Sequence, residues 1–156
     1  MLFTPPAFAE PLPEPSGRVI LTVTGDIGVR NTPAAAEFDR AMLRSIGQRD
    51  ISTTTIWTSG KVTFTGVPLR SLLDRLGVSS GKLEARAINE YSVTIPVSDA
   101  VPDGPIIAYS RDGEEISIRE KGPLWIIYPY DQNPDYQSEV IYARSIWQLD
   151  RIDVID

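Results

Sequence analysis

The sequence predicts an α+β fold in which a mixed or antiparallel β-sheet dominates and a few short helices accompany it. Three observations carry that expectation. Short β-branched runs recur along the chain with glycine, aspartate or serine at their junctions, as in RVILTVT-GD, KVTFT-G and IIAYSR-DG. Helical periodicity is confined to two short stretches. The run Leu124–Tyr128 (LWIIY) is apolar without alternation, as expected of a strand covered on both faces.

Taken in order, Arg18–Thr24 predicts an opening strand, closed by the turn pair Gly25-Asp26. Thr32-Pro33 offers an N-cap and a first-turn proline, and Phe38, Met42, Leu43 and Ile46 then line one face up to Gly47, which predicts a surface helix. Asp50–Thr58 and Lys61–Thr65 read as a hairpin about Ser59-Gly60. Pro68 opens a second helix, with Leu69, Leu72, Leu73 and Leu76 on one face and Gly77 as its left-handed exit. Strands then follow at Leu83–Glu90, Ser92–Val97, Ile106–Arg111, Glu115–Arg119, Leu124–Tyr128 and Ser145–Val154. The intervening loop Pro129–Gln137 (PYDQNPDYQ) is the densest polar-aromatic insert, of a length that often carries function.

With 156 residues, 42% of them apolar, the chain suits one domain with a closed core, placed at residues 18–156 behind a segment 1–17. The net charge of −6 argues against nucleic acid or an acidic membrane surface as principal partner. No stretch approaches the roughly 20 apolar residues of a membrane helix. Zero histidines and zero cysteines remove the usual zinc, haem and iron–sulfur chemistry together with Ser-His-Asp and Cys-His catalysis. At the N-terminus, Ala7-Phe8-Ala9 has the small-x-small form of a signal-peptidase site, so the part of segment 1–17 before Glu10 is expected to be a truncated export signal, with Glu10 starting the mature chain; the alternative is that the segment is a proline-rich tail.

The stretches PIIAYSRDGEEISIREKGPLWIIYP (105–129) and ARSIWQL (143–149) resemble the closing half of the sulfite-oxidase-type molybdopterin-binding domain, and the resemblance extends from about Val23 to Val154. It implies the fold of that superfamily. TTTIWTSGKVTFTGVPLRSLL (53–73) resembles the family's cysteine loop and following helix, but Thr53–Thr55 stand where the molybdenum-ligating cysteine is expected. A hydroxyl does not replace a thiolate on that metal.

The resemblance also implies a set of pterin-binding residues. Tyr91, in NEYSVTIP (89–96), falls on the tyrosine that faces the metal site in the family, and Asn89 beside it offers both donors and acceptors; the alternative is a turn cap at Asn89 and a packed Tyr91. Lys121, in IREKGP (118–123), takes the place of a histidine that lies against the pterin, or else is an exposed turn lysine. Arg144 is retained, while Trp147 replaces a phosphate-contacting lysine and offers a flat stacking face or a core residue. Trp57, next to the vacated cysteine loop, is placed to sandwich a planar heterocycle, and Asp131, with Asp135 nearby, to accept from a pterin amino group. Trp125 is assigned to the core.

These features resemble small stand-alone, periplasmic pterin-binding regulators. They imply a non-catalytic ligand sensor that grips a reduced pterin and signals to the periplasmic domain of a membrane partner controlling cyclic-di-GMP. The molybdenum cofactor is the lesser expectation. The rival readings are a molybdopterin-dependent oxidoreductase and an interaction module whose vestigial pocket is filled by Trp57 and Tyr91.

Overall fold

Among residues 11–156, which the computed structural model describes, ten strands form two five-stranded sheets. The strands are β1 (Val19–Gly25), β2 (Ala36–Asp39), β3 (Arg49–Thr53), β4 (Val62–Pro68), β5 (Lys82–Ala87), β6 (Ser92–Pro96), β7 (Ile106–Arg111), β8 (Glu114–Glu115), β9 (Trp125–Ile127) and β10 (Leu149–Ile155). The first sheet has the order β2-β1-β10-β5-β6, with β1 parallel to β10 and the remaining pairs antiparallel. In the second, β3-β4-β7 is antiparallel throughout, and the free edge of β7 is shared between β8 and β9. The α+β class with a mixed sheet is therefore observed.

Among the described residues three short α-helices accompany the strands: α1 (Arg40–Ile46), α2 (Leu69–Arg75) and α3 (Glu139–Arg144). Leucines 69, 72, 73 and 76 of α2 and its exit are all buried, and Gly77 follows at φ +73°. One core joins both sheets through Leu21, Phe38, Phe64, Leu72, Leu83 and Ile152. Leu124–Tyr128 is wholly buried, as its unbroken apolar run requires.

The structure departs from the sequence reading where side-chain hydrogen bonds or pairing override local pattern. The first half of the expected 32–46 helix is β2, which pairs with β1 and buries Phe38; α1 begins after Asp39, whose carboxylate accepts from Met42 N. Thr32 instead closes a local turn, accepting from Ala35 N at 2.9 Å. The hairpin strand from Asp50 stops at Thr53, so residues 54–61 form a long loop. Leu83–Glu90 ends at Ala87, and of Glu115–Arg119 only Glu115 is a strand residue, because Ser117 caps a 3₁₀ turn over Ile118–Glu120. The last strand starts at Leu149: Arg144 closes α3, a helix capped by Ser138 that the sequence reading did not anticipate.

Residues 11–17 run without regular structure. Leu12 is buried, and the carbonyls of Pro11 and Pro13 accept from Arg75 and Asn31. The export-signal expectation at Ala7–Ala9 lies outside the described residues. Among those residues, no helix is long and apolar enough to cross a membrane.

Candidate functional site

Three elements distant in sequence bring the tryptophans together. Trp57 projects from the 54–61 loop, Trp125 lies in β9, and Trp147 precedes β10, where it forms a strand-like bridge with Trp125. The Trp57 ring meets Trp125 at 5.8 Å, Trp147 at 5.7 Å, Tyr142 of α3 at 5.8 Å and Tyr130 at 6.2 Å, all edge to face. Such contacts exploit the positive edge and negative face of aromatic rings, each contributing about 0.5–1.5 kcal/mol beyond area burial. Trp147 remains 37% exposed, so the cluster has an open side.

Lys121 stands beside it. Its backbone is left-handed at φ +81°, leading into Gly122, where a Cβ would collide with the Ile116 carbonyl; no other residue fits there. This turn places Lys121 Nζ 5.2 Å from the centre of the Trp147 ring and 6.0 Å from that of Trp125. Among the described residues Lys121 forms no ion pair, so the indole faces are its electrostatic partners. Beneath them Trp125 is fully buried, and its Nε1 donor has no hydrogen-bond partner.

The threonines of the cysteine-like loop are engaged internally. Thr53 donates to the Thr54 carbonyl and accepts from Asp131 N; Thr54 donates to Asp131 through its hydroxyl at 2.6 Å and its backbone at 2.8 Å; Thr55 accepts from Trp57 N and pairs with Thr58. The bonds from Thr54 hold the Asp131 carboxyl below the ordinary carboxylate range. With no cysteine in the chain, these hydroxyls committed, and no cluster of metal-ligating side chains among the described residues, the donor set does not fit a protein-ligated molybdenum.

The remaining candidates lie apart from the cluster. Arg144 donates to Asp99 at 2.9 Å, and Tyr128 donates to the same oxygen at 2.8 Å. Burial first, then Asp99, pushes the Tyr128 hydroxyl far above its ordinary value; burial likewise pushes Tyr130 up to about 12. Asn89 accepts from Tyr91 N in the turn after β5, the local cap its residue type favours. Tyr91 is 56% exposed, neither packed between sheets nor among the rings of the cluster. Asp135 lies in a 3₁₀ turn capped by Asn133.

Thus the fold unites Trp57, Lys121 and Trp147, sets Asp131 behind the loop that carries Trp57, and leaves Asn89, Tyr91 and Arg144 outside. Trp125 is core, as expected, yet also forms the base of the cluster. Sequence reasoning missed Tyr130, Tyr142 and Asp99. The aromatic density of 128–142 was the available signal for the tyrosines; nothing local marked Asp99.

Comparison with known proteins adds a family and a fold. Residues 36–132 match the family described as oxidoreductase molybdopterin binding domain. No curated protein matches the chain. Among solved structures, the sulfane dehydrogenase SoxCD from Paracoccus pantotrophus is similar with a TM-score of 0.65 and 16% identity over 87% of this chain. The chain covers 38% of the length of that protein.

Proposed function

The chain belongs to the oxidoreductase molybdopterin-binding domain family, and on that premise we propose that it is a non-catalytic member binding a reduced pterin, without molybdenum, at the Trp57–Trp147–Lys121 cluster. One observation carries the reading: the Lys121 ammonium lies over the indole faces of Trp147 and Trp125 at the open side of the aromatic cluster. A planar ring with a carbonyl on its edge, such as a 4-oxo pterin, offers stacking surface to Trp147 and an acceptor to Lys121. Asp131 then acts by fixing the Trp57 loop, and Arg144 by fixing α3.

The absent thiolate favours a ligand sensor over a redox enzyme. Its periplasmic location and its output, a surface read by a membrane partner controlling cyclic-di-GMP, rest on the resemblance of the sequence to such regulators. Any such output requires the partner to bind the two forms with different affinity. A second reading draws on one specific feature: the four aromatic neighbours of Trp57 describe a pocket filled by the chain's own ring.

Calorimetric titration of the full chain with tetrahydro-, dihydro- and oxidised pterin, with metal analysis of the same sample, tests these readings. Saturable binding without molybdenum, weakened about tenfold or more by Trp147→Ala, is expected. Absence of binding would leave the self-filled pocket, and near-stoichiometric molybdenum would restore the oxidoreductase reading.

A further inference from the structure

A cleft of about 690 Å³ is lined by β1, Asp39 and Arg40 together with Tyr109, Glu115 and Ile116. None of Trp57, Lys121, Trp125 or Trp147 lines it. Its size falls within the range of small-molecule sites. Ile20, Ile116 and Pro123 supply its apolar lining, Arg18, Arg40 and Asp150 stand among its polar groups, and its rim exposes Val19, Ile88 and Ile118 at 37%, 45% and 56%.

The polar groups of this cleft are unequally satisfied. Asp39 is 4% exposed, and its carboxylate already accepts from Ser16 N, Gly17 N and Met42 N, so it calls for no cation. Arg40 lies over the Tyr109 ring at 5.4 Å and donates through Nη2 to the Tyr109 carbonyl and the Ser110 hydroxyl. Its Nε has no partner, and its Nη1 meets only Glu115, at 3.7 Å, through a carboxylate whose side chain is 76% exposed. An exposed pair at that distance is worth little. Tyr109 is 2% exposed, and its hydroxyl also lacks a partner. At the Arg40 end the unmet groups are thus two buried donors beside a loosely balanced positive charge, while Asp150, whose carboxyl burial holds above its ordinary value, lines the same cleft.

From this imbalance we propose that the cleft is a second binding site, specific for a small monocarboxylate with a hydrocarbon body. The carboxylate takes the place of Glu115 on Arg40 Nη1 and, as the partly exposed Arg40 side chain adjusts, supplies an acceptor to its Nε. The hydrocarbon covers Ile20, Ile116 and the exposed rim residues Ile88 and Ile118. The site is independent of the pterin reading.

The test is titration of the full chain with octanoate, octanol and octylamine, followed by backbone amide NMR shifts. Octanoate is expected to bind about tenfold or more tightly than octanol, octylamine more weakly still, with saturable shifts at Arg40, Ile88 and Ile118. Arg40→Gln should remove the preference for the acid. Glu115→Gln, a change at an exposed position, should tighten octanoate binding, a gain that misfolding does not produce. Trp147→Ala should leave it unaltered. Equal binding of octanoate and octanol, no saturable shift at the cleft, or no gain from Glu115→Gln would overturn the proposal.

Discussion

At Asp39 a single carboxylate receives the backbone N–H groups of Met42, Ser16 and Gly17 and so joins the start of α1 to the incoming N-terminal segment. The bonds from Met42 and Gly17 hold its carboxyl below the ordinary value of 3.8. Because the folded form binds the proton less tightly, the stabilisation is complete above that ordinary value and is lost as pH falls through the lower, folded one. Asp39→Ala is expected to destabilise the protein by about 1–2 kcal/mol at neutral pH, whereas Asp39→Asn retains capping and loses part of the acid-side decline. Urea midpoints of the three proteins from neutral to acidic pH check this; identical acid profiles for wild type and Asp39→Asn would refute the linkage. At this scale the site was partly legible: Trp57, Lys121 and Trp147 stand out by residue type, but the exposure of Tyr91 and the sequestration of Arg144 by Asp99 depend on partners remote in the chain.

Between elements, the decisive tie is the triad Arg144–Asp99–Tyr128, which fastens the end of α3 to the 3₁₀ turn after β6 and to the end of β9. Charged hydrogen bonds of this kind contribute about 1.5–3 kcal/mol. Arg144→Ala should lower stability by an amount in that range, and a double-mutant cycle with Asp99→Asn should show strong coupling; additive effects would mean that the pair contributes no mutual energy. Nearby, Tyr130 donates to Ser145 and is held neutral up to about 12. Its folded form binds the proton more tightly than a free tyrosine, so its stabilisation is complete below the ordinary 10.0 and is lost as pH rises towards about 12. Replacing Tyr130 with phenylalanine should therefore flatten the alkaline loss of stability over that interval, read by urea unfolding; an unchanged slope would contradict it. The existence of α3 is illegible because its six residues carry too little periodicity, and the β2 segment carries a helical signal because Phe38 fits the helical spacing as well as the strand.

For the whole molecule, one core unites both sheets, and no metal-ligating cluster occurs among the described residues. Unfolding is accordingly expected to be a single cooperative transition whose midpoint a chelator leaves unchanged. Calorimetric scans with and without the chelator would detect a structural metal as a fall in that midpoint.

The α+β class, most strand segments, the buried strand at Leu124–Tyr128, the α2 helix and the absence of a thiolate for molybdenum follow from local residue type and period and are legible in the chain alone. Which candidates meet is a matter of folding. The convergence of Trp57, Trp125, Trp147 and Lys121, the capture of Arg144 by Asp99, and the unpartnered donors beside Arg40 and Tyr109 arise from contacts between segments far apart in the chain. Non-local geometry of that kind leaves no periodic trace in the residues that make it.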